Sequence, residues 1–144
     1  KLAVLICGPT GTGKTFVSCA LGEQTCRQGH RVLYMRVPRL LEDLALAHAD
    51  GTDARVLQRL LRTDLLILDD WGIGTLTEPH SRDRLEMLED RYDRGAPIVA
   101  SLFPVERWHG WLADATLDRL IHRSHRVVPK GPSKRKEFTD SRPK

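Results

Sequence analysis

Five short apolar runs punctuate the chain, and longer stretches of helical periodicity separate them. Residues 2–7 (LAVLIC) and 64–70 (DLLILDD) are continuous apolar runs, the pattern of strands buried on both faces. Residues 31–37 (RVLYMRV), 97–101 (PIVAS) and 125–129 (HRVVP) supply three more strands. Between the first two runs, residues 15–28 read as a helix with Val17, Ala20 and Leu21 on one face and Gly29 as its terminator. Pro38 opens a second helix, with Leu41, Leu44, Ala45 and a half-buried His48 at helical spacing. After the Ala49-Asp50-Gly51 break, residues 53–62 form a third helix with Asp53 as N-cap. Ser81 caps a further helix over 82–94, striped by Leu85, Leu88 and Tyr92, and residues 114–124 form the last. Strands alternating with helices imply a three-layer αβα domain around a mainly parallel five-stranded sheet.

The glycines after the first strand add chemistry to this frame. Gly8-Pro9-Thr10-Gly11-Thr12-Gly13-Lys14-Thr15 matches G-x-x-x-x-G-K-[ST] at each fixed position, with a strand before it and a helix after it. Glycines let backbone N–H groups turn toward phosphate oxygens, and the helix start adds its own unpaired amides and dipole. Lys14 is then placed to reach the β- and γ-phosphates of ATP, and Thr15 to ligate Mg²⁺. The second carboxylate-bearing strand end completes the pattern: Asp69 holds Mg²⁺ through water, and Asp70 polarises the attacking water. A P-loop NTPase is therefore the expected fold class. Asp70 is shorter than the glutamate usual in this role, so unaided hydrolysis is expected to be slow.

Bulk properties narrow the rest. The chain has 144 residues, 40% hydrophobic and 29% charged, as expected of one soluble globular domain. No apolar run approaches membrane-spanning length, so no membrane partner is expected. Three cysteines, Cys7, Cys19 and Cys26, lack metal-ligand spacing and read as small core residues in a reducing cytoplasm, with a free reactive thiol as the alternative. The formal charge of +4 lies entirely from Lys130 onward, where six basic residues face two acidic ones; the remainder holds 17 of each. This divides the chain into a core over 1–129 and a basic tail over 130–144, a tail that either touches phosphate-rich partners or is merely solvated. Arg82, Arg84, Arg91 and Arg94 share their helix with four acids and read as a solvated surface. Trp71, Trp108 and Trp111 read as packing residues. Lys1 immediately before the first run suggests a fragment of a longer protein.

Several segments together resemble one family. The phosphate grip, residues 19–51, "DLLILDDWG", "LEDRYDRGAPIVAS", "PVERWH" and "LDRLIHRSHRV" resemble IstB-type helper ATPases of insertion sequences. These are of the AAA+ class and are related to DnaC-type helicase loaders. The resemblance implies an AAA+ core that binds ATP and Mg²⁺ and assembles with ATP as a homo-oligomer on double-stranded DNA. It implies delivery of that DNA to a transposase of the same element, with ATP hydrolysis. It also implies that Arg119, in "LDRL", acts in a neighbouring subunit's site, and that Arg135, in "GPSKRK", senses the γ-phosphate.

The chain departs from that pattern in four places. The family's N-terminal segment and lid are largely missing. Leu102 stands where a polar γ-phosphate sensor is usual, leaving Ser101 to substitute. The stretch before Arg119 is shorter by roughly one helical turn, and Pro132 replaces an acid near Arg135. Three alternatives follow: a helicase-loader-like ATPase, a truncated copy that holds ATP without turnover, and a small-molecule kinase, for which no insertion is long enough to be a clear lid.

Overall fold

The computed structural model describes residues 2–72, 96–110 and 114–130. The helix expected over 82–94, Trp111, Arg135 and the tail beyond Lys130 lie outside them. Strand β1 (Ala3–Cys7) is followed by helix α1 (Lys14–Arg27), strand β2 (Val32–Arg36) and helices α2 (Val37–Asp50) and α3 (Asp53–Leu61). Strands β3 (Leu65–Trp71) and β4 (Ala96–Ser101), a 3₁₀ turn (Val105–Gly110), helix α4 (Asp114–His122) and strand β5 (Ser124–Val127) complete the described residues. The five strands form one sheet in the order β2-β3-β4-β1-β5, and each neighbouring pair is parallel. The three-layer P-loop architecture expected from the sequence is the observed one.

Side chains alternate across the sheet and sort into two cores. Leu5, Leu66, Leu68 and Val99 face α2 and α3 through Val37, Leu40, Leu41, Leu44 and Leu60. Ile6, Leu65, Ile67, Ile98 and Ala100 form the opposite core, joined by Val17 of α1. This double coverage explains why β1 and β3 read as unbroken apolar runs.

The buried face of α1 differs from expectation. Ala20 and Leu21 are exposed, and Ser18 and Gly22 are buried instead. The cause is close approach: a Cβ on Gly22 would lie 2.7 Å from Ile67 Cδ1, so α1 meets the sheet through its smallest side chains. Cys7 is buried in the core, as expected, and burial pushes its thiol pKa up. Cys19 and Cys26 are exposed on α1, against the reading of all three as core residues. On α2 the buried series is Val37, Leu40, Leu41, Leu44 and Ala47, so His48 lies one position off the seam and is exposed. Thr52, not Asp53, occupies the cap position of α3; Asp50 accepts from Thr52 N (3.0 Å) and Oγ1 (2.5 Å), closing the turn at Gly51.

Candidate nucleotide site

The loop between β1 and α1 needs glycine at two places, because Gly11 (φ 84°) and Gly13 (φ 91°) have left-handed backbones. Thr12 Oγ1 donates to Pro9 O at 2.8 Å, and Gly8 N donates to Ser101 O at 3.1 Å, tying the loop to β4. Gly13 caps α1 without any side-chain hydrogen bond, and no acidic residue lies in the helix's first turn. The first-turn amides and the positive end of the helix dipole therefore favour an anion here. Lys14 Nζ donates to Gly8 O (2.7 Å) and Pro9 O (2.8 Å), which holds the ammonium over the loop.

The two motifs, far apart in sequence, meet in space. Thr15 Oγ1 donates to Asp69 Oδ2 at 2.7 Å. They line one cavity of about 250 Å³ with Lys14, Asp70, Ala100 and Leu102. Its donor set of hydroxyl and carboxylate oxygens, beside an ammonium and helix-end amides, fits Mg²⁺ with a polyphosphate. Gly11, Gly13 and Thr10 complete the rim, together with Phe16, which is 78% exposed.

A distortion at the end of β3 aims the two carboxylates. The β3–β4 register shifts between Leu68 and Trp71, and Asp70 adopts φ 56°. Trp71 thereby returns to the core face of Leu66 and Leu68, where it packs on Trp108 with ring centroids 5.5 Å apart. Aspartate is among the few residues that accept this backbone without large strain.

Two side chains that sequence reasoning missed hold these carboxylates from the adjacent strand. Tyr34 OH donates to Asp69 Oδ2 at 2.6 Å, and Asp70 N donates to Asp69 Oδ1 at 2.8 Å. Burial, then the bond to Asp69, raises the Tyr34 pKa, so the phenol remains a donor. Arg36 donates to Asp70 Oδ2 from Nε and Nη2, both at 2.6 Å. The bond to Asp70 raises the Arg36 pKa further above its ordinary value. Parallel β2–β3 pairing sets Arg36 against Asp69, but nothing in the β2 sequence signals this partnership.

Other expected residues fall differently. Leu102 lines the cavity, as its place in the sequence implied. Ser101, the candidate substitute, is fully buried and turned away: its Oγ donates to Trp71 O at 2.7 Å and accepts from Phe103 N at 3.1 Å. Arg119 is exposed on α4 and does not line this chain's cavity. Among the described residues, no cluster of three or more His, Cys, Asp or Glu could hold a metal ion by itself. No helix among them is long and apolar enough to cross a membrane.

A parallel sheet in this order with a phosphate-type loop narrows the fold, and comparison with known proteins decides the family. The description "IstB-like ATP binding protein" matches residues 1–141. The chain belongs to this family. An insertion-sequence ATP-binding protein of Sinorhizobium fredii is 50% identical over 136 residues, covering 91% of this chain and 56% of the relative. The IS1162 ATP-binding protein of Pseudomonas fluorescens is 52% identical over 101 residues, covering 70% and 44%. The chain thus spans about half the length of these relatives. The DnaC helicase loader superposes with a TM-score of 0.78 at 19% identity, over 90% of this chain and 78% of that one. Replication initiator DnaA bound to AMPPCP and single-stranded DNA gives 0.79 at 20% identity, over 96% and 45%. At such identities the likeness concerns the fold.

Proposed function

We infer that this chain is the ATP-handling core of an insertion-sequence helper that works in the cytoplasm. It grips ATP with Gly8 to Thr15, assembles as a homo-oligomer on double-stranded DNA and delivers that DNA to a transposase of its own element. The observation that carries this reading is the 2.7 Å bond between Thr15 and Asp69, which joins the two phosphate-handling motifs at one cavity. Lys14 exchanges its loop carbonyls for phosphate oxygens, and the α1 amides take the remaining negative charge. Thr15 and Asp69 hold Mg²⁺, which when bound bridges and neutralises phosphate oxygens. Asp70 orients water on the carboxylate that Arg36 fixes, and Arg119 reaches a neighbouring subunit's site from its exposed place on α4. Arg135, in the tail, is the proposed γ-phosphate sensor.

The test is ATP hydrolysis by the purified chain with and without long double-stranded DNA, with Lys14→Ala as control. Turnover that rises with DNA and disappears in the variant is the expected result. A second reading, an ATP-holding protein without turnover, is favoured by Leu102 in the cavity and by Ser101, whose hydroxyl is committed to Trp71 and Phe103. Tight nucleotide binding with no turnover in either condition selects it.

A further inference from the structure

A second depression, of about 360 Å³, lies at the opposite end of the sheet from the nucleotide cavity, lined by Arg31, Arg55, Gln58, Arg59, Arg62 and Thr63. Arg31 immediately precedes β2, and Arg62 and Thr63 immediately precede β3, whereas Asp69 and Asp70 end β3. A strand of this length separates the two ends by roughly 15–20 Å. Arg55, Arg59 and Arg62 fall at i, i+4 and i+7, one stripe of a helix whose other side packs Val56, Leu57 and Leu60 on the core. All three are exposed, and none is ion-paired to a carboxylate of the described residues. Arg31 is braced by Asp64, which accepts from Arg31 N at 2.8 Å and lies 3.6 Å from its Nε.

Helix-dipole compensation accounts for only part of this arrangement. Arg59 lies in the last turn of α3 and Arg62 caps it, where cations are favoured. Arg55 lies near the other end of the helix, and Arg31 comes from a different segment altogether. A cavity lined by four guanidinium groups and no acid takes a polyanion. The stripe from Arg55 to Arg62 rises ~10 Å, a length over which duplex DNA presents about six charges. Guanidinium forks match phosphate oxygens in pairs.

The geometry points to the Arg31–Arg55–Arg59–Arg62 cluster as a seat for the phosphate backbone of double-stranded DNA, a site that rests on the DNA-delivering function proposed above. It reads no bases, since every charged group present is a phosphate-type contact. It also leaves the nucleotide cavity open, because the two lie at opposite ends of the strands.

The test is the salt dependence of binding of the 144-residue chain to a labelled duplex, for wild type and for Arg55→Gln/Arg59→Gln/Arg62→Gln, with a fluorescent ATP analogue bound in both. Each phosphate contact contributes about 0.9 to the slope of log K against log salt. The triple variant is expected to lose about 2.7 of slope, so a fourfold rise in salt costs wild type about 40-fold more affinity than the variant. Single Gln variants give one step each, and Arg→Lys at the three positions restores the slope; both keep the test decisive should the triple variant fold poorly. An unchanged slope with intact nucleotide binding overturns the site and leaves the ATP-helper reading standing. A wild-type chain that binds ATP but no duplex overturns both. Loss of poly-glutamate binding with duplex binding unchanged overturns it in favour of an acidic protein partner.

Discussion

Tyr34→Phe is the sharpest probe of the carboxylate end of the site. The substitution removes one oxygen and keeps the ring on β2. Asp69 is 4% exposed and accepts three hydrogen bonds: from Thr15 Oγ1 at 2.7 Å, Tyr34 OH at 2.6 Å and Asp70 N at 2.8 Å. Thr15 and Tyr34 share Oδ2, so loss of the phenol leaves that oxygen with a single donor, the hydroxyl proposed to meet the metal. A hydrogen bond to a charged acceptor contributes about 1.5–3 kcal/mol. Tyr34 is 39% exposed, and solvent screening places the effect at the lower end of that range. Loss of a group that orients a metal-binding carboxylate typically weakens the metal about 10–100-fold, and the lower end, tenfold, matches ~1.4 kcal/mol. The assay is a Mg²⁺ titration of a fluorescent ATP analogue on wild type and variant, with a parallel arm in EDTA. The expected result is a Mg²⁺ midpoint about tenfold higher in the variant and unchanged affinity in EDTA. An unshifted midpoint refutes the reasoning. Equal weakening in both arms also refutes it, because Tyr34 would then support the loop as a whole.

Three further outcomes follow from the same contacts. Ser101→Ala leaves Trp71 O and Phe103 N without the buried hydroxyl that serves both, and is expected to lower unfolding free energy by about 1–3 kcal/mol in urea titrations. Leu102→Asn adds a polar group to the cavity wall; where the chain turns ATP over, DNA-stimulated hydrolysis is expected to rise about tenfold or more with nucleotide affinity unchanged, as read by phosphate release. Asp64 is held below the usual carboxylate range, first by the Arg31 backbone N–H. Because its folded pKa is depressed, its stabilisation is present above ~3.9 and is lost as pH falls through the lower folded value. Asp64→Asn should therefore flatten the acid side of the stability–pH curve below about pH 4 while leaving its neutral-to-alkaline shape unchanged, as followed by denaturation midpoints.

The nucleotide end of the molecule was legible because its logic is local in sequence. Gly11 and Gly13 carry the backbone conformations that only glycine takes easily, and the strand before them and helix after them announce themselves by periodicity. The apolar runs of β1 and β3 told of a doubly covered sheet for the same reason. The errors on α1 have one physical source. Periodicity marks a helix face by its large apolar residues, but this helix approaches the sheet so closely that Ser18 and Gly22 fill the contact, leaving Leu21 outside. Close approach is a property of the pair of elements and has no signature in either alone. Tyr34 and Arg36 were invisible because their significance depends on parallel register with β3, which sets them beside carboxylates more than thirty residues away.

Charge shows the same limit from the other side. Counted along the chain, the core is neutral and the basic excess sits in the tail, so composition directed attention there. Folding separates the signs. The stripe on α3 collects Arg55, Arg59 and Arg62 on one surface, the start of β2 adds Arg31, and Asp64 is spent on bracing Arg31. A neutral sum thus conceals a local potential strong enough to matter, because the field at a surface depends on which charges are neighbours and not on the total. Whether the tail or this cluster dominates is open to measurement by comparing their salt slopes. Removing the tail charges and removing the α3 arginines should lower the slope independently, since the two groups belong to separate segments.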